Sequence, residues 1–362
     1  LSEVAKQGQE KLSNAKVLIV GLGGLGSPAA LYLNAAGVNL GLIDFDKVDE
    51  GNLQRQILFK SSDIGRYKVE VAAEYLHGQN PNTDINTYKF ALTSENAMEL
   101  FEQYDYILDG TDNFATRYLV NDAAVLTKKI NVYGSIFRFE GQVTVYGAPE
   151  GPCYRCLFPV PPPPGEIPNC AEAGVLGVLP GQIALIQATE TIKLIIGKGK
   201  SLVGRLMLFD ALQMSWREMN ISKNPDCPVC GNNPSITELA DYELLCGARP
   251  QLPSGIESIN SADISEMLQQ IPGMKMLDVR NDHELEIAEI KNSIHIPLPE
   301  LPEKINGLEE YKDQTLVVFC KVGVRSISAI RILHQHGFDK LINMADGIDG
   351  WAQSVDDSIP RY

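Results

Sequence analysis

No stretch of the sequence approaches the ~20 consecutive apolar residues that a membrane-spanning helix needs. The nearest, Ile183–Ile196, is interrupted by Gln187, Glu190 and Lys193. No basic segment followed by a short apolar one opens the chain, so no secretory signal is read. The chain begins at Leu1 rather than Met, which points to a preceding segment that is absent. Positive charge is also short: 31 Lys and Arg stand against 46 Asp and Glu, a formal net charge of −15. A nucleic-acid backbone needs a basic footprint that this balance does not supply. Small anions stay open, since they need only a local cluster of positive groups. The five histidines form no metal set, and His295 in IHIP reads as a packing residue. These absences point to a cytoplasmic protein without a membrane or nucleic-acid partner. Seven cysteines, an odd number, then suit metal binding or catalysis better than disulfides.

What is present is organised around Val17–Asp46, VLIVGLGGLGSPAALYLNAAGVNLGLIDFD. Val17–Val20 is an apolar run of strand length, as in strands buried on both faces. It leads into Gly21, Gly23, Gly24 and Gly26, and then into Leu25, Ala29, Ala30, Leu33 and Ala36 at helical spacing. Leu40–Ile43 is a second apolar strand, ending in Asp44 and Asp46. A strand, a Gly-rich turn, a helix and a strand ending in acid form the fingerprint of a nucleotide site. The turn's N–H groups and the helix dipole hold phosphate, and the acid takes ribose hydroxyls. A plain NAD-binding half has the same pattern, so this stretch alone leaves the nucleotide open.

With 362 residues, 44% of them apolar, the chain has room for two or three domains. A helix is expected from Lys68 to about Gly78, and strands at 84–88, Tyr106–Leu108 and Ile130–Gly134. Helices are expected at 95–101 and 115–126. Alternating strands and helices imply a doubly wound, mostly parallel Rossmann-like α/β sheet. Gln142–Tyr146 alternates and begins an antiparallel extension. Four consecutive prolines, Pro161–Pro164, make an extended exposed loop. A long helix near 182–196 and strands at 206–210 and 216–221 complete a domain of residues 1–240. A polar stretch with Gly247, Pro250 and Pro253 reads as a linker, 241–256. Residues 257–362 form a second, smaller α/β domain with a helix at 261–270 and strands at 275–279 and 315–319.

Four motifs carry chemistry. Cys153/Cys156 and Cys227/Cys230 are two CxxC knuckles in Pro- or Gly-bearing turns, which together supply four thiolates to one structural zinc; incidental buried cysteines are the plainer alternative. Asn52, Arg55 and Lys68 follow the ribose acid, and Asp112 follows a later strand, at the strand ends where such sheets bind ligands. Two cations and a carboxylate suit a triphosphate, Asp112 holding Mg²⁺, although solvated surface charges would read the same. Cys320–Arg325 is a C-x4-R loop between a buried strand and a helix, an anion nest around a thiolate able to carry a second sulfur. A phosphatase loop is one residue longer and usually has His where Phe319 stands. Cys170, in the loop after the prolines, is a reactive thiol or a spare one, and Cys246 is structural or incidental.

These residues carry a resemblance. On GLGGLG, DFD, NLQRQ, GRYK, DGTDN, RFEGQVTVY, CYRC, NCAEAGVLG and CPVC, residues 1–240 resemble the MoeB/ThiF group, relatives of the ubiquitin-activating enzymes. On LDVRNDHE, IHIPL, CKVGVRS and DGIDGW, residues 257–362 resemble a single rhodanese domain. The order is that of the fused molybdopterin-synthase-activating sulfurtransferases. The resemblance implies adenylation, with Mg-ATP, of the C-terminal Gly-Gly carboxylate of a ubiquitin-fold sulfur carrier protein, then conversion to a thiocarboxylate. It implies ATP-site positions at Gly23, Asp44, Gly51, Asn52, Leu53, Gln54, Arg55, Lys68, Asp112 and Asn113. Cys170 matches the activating-domain cysteine and Cys320 the persulfide cysteine, with Arg325 closing its loop. It further implies a homodimer and a sulfur donor, thiosulfate or a cysteine desulfurase. The group's RYxRQ-like segment, whose arginine reaches the partner subunit's ATP, is not in this sequence. An NAD-dependent oxidoreductase and a carrier-docking scaffold without ATP chemistry are the rival readings.

Overall fold

The computed structural model describes residues 4–161, 174–240, 242, 252–271 and 273–362. The chain divides into two compact units, Leu1–Ala248 and Arg249–Tyr362. Cys170 and Cys246 lie outside the described residues, as does most of the stretch read as a linker.

The first unit is built on an eight-stranded sheet of order β3-β2-β1-β4-β5-β6-β7-β8. Its parallel part is β1 (Lys16–Val20), β2 (Asn39–Ile43), β3 (Ile85–Tyr88), β4 (Tyr106–Asp109) and β5 (Ile130–Phe137). The extension of β6 (Glu140–Tyr146), β7 (Arg205–Asp210) and β8 (Ser215–Asn220) is antiparallel. Strand β1 is central, and its four apolar residues are all buried. They alternate between two cores, as a period of two demands: Val17 and Ile19 face one, Leu18 and Val20 the other. The first core is closed by α2 (Gly26–Ala35), α3 (Lys68–Gln79) and the long helix Leu179–Ile196. The second is closed by Ala97–Glu102 and Phe114–Leu126.

The helix α1 (Ala5–Asn14) has no counterpart in the sequence reading. Its segment AKQGQEKLSN holds one large apolar residue, Leu12, and so shows no apolar stripe. It forms because Leu12 joins the first core and the Lys11 ammonium donates to the Ile196 carbonyl at 3.2 Å.

The second unit has five parallel strands of order β11-β10-β12-β13-β9. These are β9 (Glu257–Ile259), β10 (Lys275–Asp278), β11 (Ile294–His295), β12 (Leu316–Phe319) and β13 (Leu341–Met344). Strand β12 is buried on both faces and leads directly into Cys320. Among the described residues, no helix is long and apolar enough to cross a membrane.

Gly41 in β2 shows how closely the first unit is packed, because a Cβ there would enter the ring of Tyr104. Replacing it with alanine should cost about 1–3 kcal/mol through overpacking. Urea unfolding of Gly41→Ala against the parent chain measures this.

Candidate functional site

The Gly-rich turn leaves β1 at Gly21, whose φ of 87° is the left-handed region that glycine occupies without strain. A Cβ at Gly21 would sit 3.0 Å from the Gly110 carbonyl after β4, and one at Gly26 would collide with the Gly21 carbonyl. The turn is therefore folded against the crossing main chain, and the start of α2 comes to the carboxyl edge of the sheet. Asp44, at the end of β2, binds this turn: its Oδ2 accepts the Leu22 N–H at 2.7 Å and its Oδ1 accepts the Asp46 N–H at 2.8 Å. Burial pushes its carboxyl up, against the nearby Lys68 charge.

Lys68 begins α3 with its side chain only 5% exposed, and its Nζ lies 3.0 Å from Asp46 Oδ2. Its own N–H donates to the Asp46 carbonyl at 3.0 Å. The partner role of Asp46 was not legible, since DFD offers two equivalent acids. Asp49 caps a short 3-10 turn, Glu50–Asn52, by accepting the Gly51 N–H at 2.9 Å. Arg55 then donates to the Gly51 carbonyl at 3.1 Å, and its Cγ lies 3.6 Å from where a Gly24 Cβ would be. The segment Gly51–Arg55, with Asn52, Leu53 and Gln54, thus lies beside the Gly-rich turn. Gln56 is buried, with its Nε2 3.8 Å from the Cβ position of Gly23 and its Oε1 without a partner among the described residues. Sequence reasoning missed it, for Gln carries no motif by itself.

At the last position of β4, Asp109 is fully buried and accepts the N–H and hydroxyl of Thr111 at 3.0 and 2.6 Å. Asp112 is exposed. Asn113 caps Phe114–Leu126 by accepting the Thr116 N–H at 2.9 Å. The structure therefore brings Gly23, Asp44, Lys68, Arg55, Asp112 and Asn113 to the carboxyl ends of β1, β2 and β4.

The four knuckle cysteines converge. Sγ separations are 3.5 Å for Cys153–Cys227, 3.4 Å for Cys156–Cys230 and 3.9 Å for Cys153–Cys156, and all four sulfurs lie within 4.8 Å of one another. Sulfurs held about 2.3 Å from one tetrahedral ion stand about 3.8 Å apart, so the set has the size of a four-thiolate metal site. The Cys153 and Asn224 N–H groups donate to Cys156 Sγ at 3.4 and 3.3 Å, as they would to a thiolate. Beside the knuckle lies a hub that the sequence did not announce. Buried Asp122 takes Arg155 through Nε at 2.8 Å and Nη2 at 2.8 Å, and accepts the Tyr242 hydroxyl at 2.7 Å. The Tyr118 hydroxyl is 2.9 Å from the carbonyls of both Phe158 and Val160.

In the second unit, Cys320 is buried at the end of β12, with its Sγ 3.7 Å from the Ser326 hydroxyl. Its loop turns at Gly323, where φ is 80° and a Cβ would strike the Ala345 carbonyl. The loop ends in the helix Arg325–Gln335. Arg325, expected to serve the loop's anion, is held by Glu284: Nη1 to Oε2 at 2.6 Å and Nη2 to Oε1 at 2.8 Å. His295 packs as expected, its Nε2 2.8 Å from the Arg280 carbonyl.

A profile of the ThiF family matches residues 1–229, and one of the rhodanese-like domain matches residues 261–354. The chain belongs to the ThiF family. The probable adenylyltransferase/sulfurtransferase MoeZ of Mycobacterium tuberculosis is 44% identical over 372 residues, spanning 100% of this chain and 93% of that protein. The adenylyltransferase and sulfurtransferase MOCS3 of Culex quinquefasciatus is 41% identical over 100% of this chain and 87% of its own. The sulfur carrier protein adenylyltransferase of Thermus thermophilus is 50% identical over 69% of this chain and 94% of its own. Among solved structures, E. coli MccB with ATP superposes with a TM-score of 0.56 at 23% identity, over 62% of this chain and 69% of that one, a likeness of fold. The ThiF-family unit is thus joined here to a rhodanese-like one.

The Glu284–Arg325 pair sets a pH dependence. Burial opposes the Glu284 charge, but the Arg325 fork, the Asn281 N–H and the Tyr362 hydroxyl outweigh it and lower its pKa from 4.5 to about 2. A lowered carboxylate stabilises the fold fully above its unfolded pKa, and that contribution is lost as pH falls from 4.5 towards 2. The loss should reach on the order of 3 kcal/mol. It should be missing from the acid limb of Glu284→Gln. Urea unfolding followed at Trp351, with Trp216 replaced by Phe, reads it out.

Proposed function

We propose that the chain is an ATP-dependent adenylyltransferase and sulfurtransferase that activates the C-terminal Gly-Gly of a ubiquitin-fold sulfur carrier protein. The observation that carries this reading is the joining of both halves in one chain, at 44% identity along the whole of it to a MoeZ protein. The Lys68–Asp46 pair, Arg55 beside the Gly-rich turn and the exposed Asp112 after β4 support a polyphosphate ligand over a dinucleotide.

A carboxylate cannot acylate until its oxygen becomes a leaving group. In the proposed first step the carrier carboxylate attacks the α-phosphorus of ATP and pyrophosphate leaves, giving an acyl-adenylate. Arg55 and Lys68 offset the charge that develops on the departing phosphates, and backbone N–H groups of the turn at Gly23 hold it in place. Asp112, exposed at the end of β4, would hold Mg²⁺, which offsets phosphate charge. Asp44 keeps the turn in register through the Leu22 N–H and would take the ribose hydroxyls. In the second step a persulfide on Cys320 displaces AMP to give an acyl disulfide. Thiol exchange, assigned to Cys170, then releases the thiocarboxylate and leaves a disulfide for an external dithiol to reduce. The sulfur donor is thiosulfate or a cysteine desulfurase. The enzyme is proposed to act in the cytoplasm as a homodimer.

The four thiolates fit zinc, the ion that favours a closed tetrahedral sulfur set, and it would tie the 153–156 and 227–230 turns together.

ATP–pyrophosphate exchange tests the first step. It should require a carrier ending in Gly-Gly, fall at least ~100-fold in Asp112→Ala and persist in Cys320→Ala. Exchange without carrier, or undiminished by Asp112→Ala, overturns the assignment. Elemental analysis should find one zinc per chain, absent from Cys227→Ser/Cys230→Ser.

A further inference from the structure

The six-residue loop of Cys320 contains two cations, and the protein's own groups engage both. Lys321 Nζ stands 4.4 Å over the ring of Tyr362. Arg325 is 11% exposed and forked by Glu284, which is 3% exposed. Glu284 has further partners in the Tyr362 hydroxyl at 2.9 Å and the Asn281 N–H at 3.0 Å. The other buried arginine behind the loop, Arg280, has a carboxylate of its own: Nη2 lies 2.6 Å from Asp278 Oδ2. Among the described residues, each arginine is thus matched by an acid of its own, and neither pair carries net charge.

A neutral acceptor would suffice to aim a guanidinium; a carboxylate also cancels its charge. We propose that Glu284 is a specificity-determining residue of the Cys320 loop. It withholds the charge of Arg325 from anionic sulfur donors, so the loop discriminates against thiosulfate relative to sulfane sulfur carried on a thiol. This rests on the reading of Cys320 as the sulfur-accepting thiolate. With either donor the thiolate attacks the outer sulfur, a new S–S bond forms on Cys320 and the donor's S–S bond breaks. Thiosulfate expels sulfite, which takes the electron pair; a persulfide R–S–SH expels the thiolate R–S⁻. Neither route needs an oxidant or a reductant. Thiosulfate, however, brings a dianion beside the attacking thiolate, where a matched arginine offers it least.

Steady-state sulfur transfer to cyanide by the full chain tests this, with thiosulfate and glutathione persulfide as donors. Glu284→Gln keeps the side chain's shape and removes its charge, whereas Glu284→Asp keeps the charge. The Gln variant should lower the KM for thiosulfate about tenfold and change glutathione persulfide kinetics less than about twofold, and the Asp variant should show no gain. Equal changes for both donors, no change in the Gln variant, or the same gain in the Asp variant overturn the proposal. If Glu284→Gln fails to fold, Lys321→Gln, which removes the loop's other cation, decides. Its KM for thiosulfate should stay level or fall as ionic strength rises, and a steep climb would reveal an uncompensated Arg325 and overturn the proposal. Turnover surviving in Cys320→Ser would overturn the sulfur-accepting reading itself rather than the role of Glu284.

Discussion

The first unit depends on a close approach of main chain to main chain. Gly21, Gly26 and Gly110 meet where β1 and β4 end, with carbonyls standing where a side chain would otherwise begin. Only this contact lets the turn after β1 fold flat enough for α2 to start at the edge of the sheet. Everything proposed for the nucleotide follows from it: the donors of the turn, the bond from Leu22 to Asp44, and the placing of Arg55 against Gly24. The second unit repeats the device at Gly323, pressed against the Ala345 carbonyl, so that the loop can wrap Cys320.

Both units also handle positive charge in the same way. Lys68 is buried against Asp46, and Arg325 is buried against Glu284. A buried cation without its acid would carry a desolvation penalty of several kcal/mol, so the partner is a condition of burial. The two cases differ in geometry. Asp46 is half-exposed at the rim of its pair, whereas Glu284 is enclosed with its arginine.

Much of this was legible because it rests on local rules. The apolar run Val17–Val20, the glycines after it and the acids after Ile43 are set by neighbouring residues, and the strands and helices they predict are those observed. The CxxC knuckles were legible through spacing, although their convergence across 74 residues was an inference from ligand number. What escaped were long-range pairings. Glu284 meets Arg325 across 41 residues, and Asp122 meets Tyr242 across 120. A mid-helix Asp between Asn121 and Ala123 gives no local sign that it will be a buried anchor. Helix α1 escaped for the opposite reason, having too few apolar residues to show a period.

The hub at Asp122 has a consequence for how the first unit comes apart. Its carboxylate gathers the helix Phe114–Leu126, the arginine of the first cysteine knuckle and the last described residue before the connection, Tyr242. Removing any one of these exposes a charge that the others bury, so none opens at low cost while the rest stay shut. Such a set exchanges its amide hydrogens together, as one cooperative block. Tyr242, 120 residues along the chain from Asp122, is thereby enrolled in the same opening event as the cysteine knuckle.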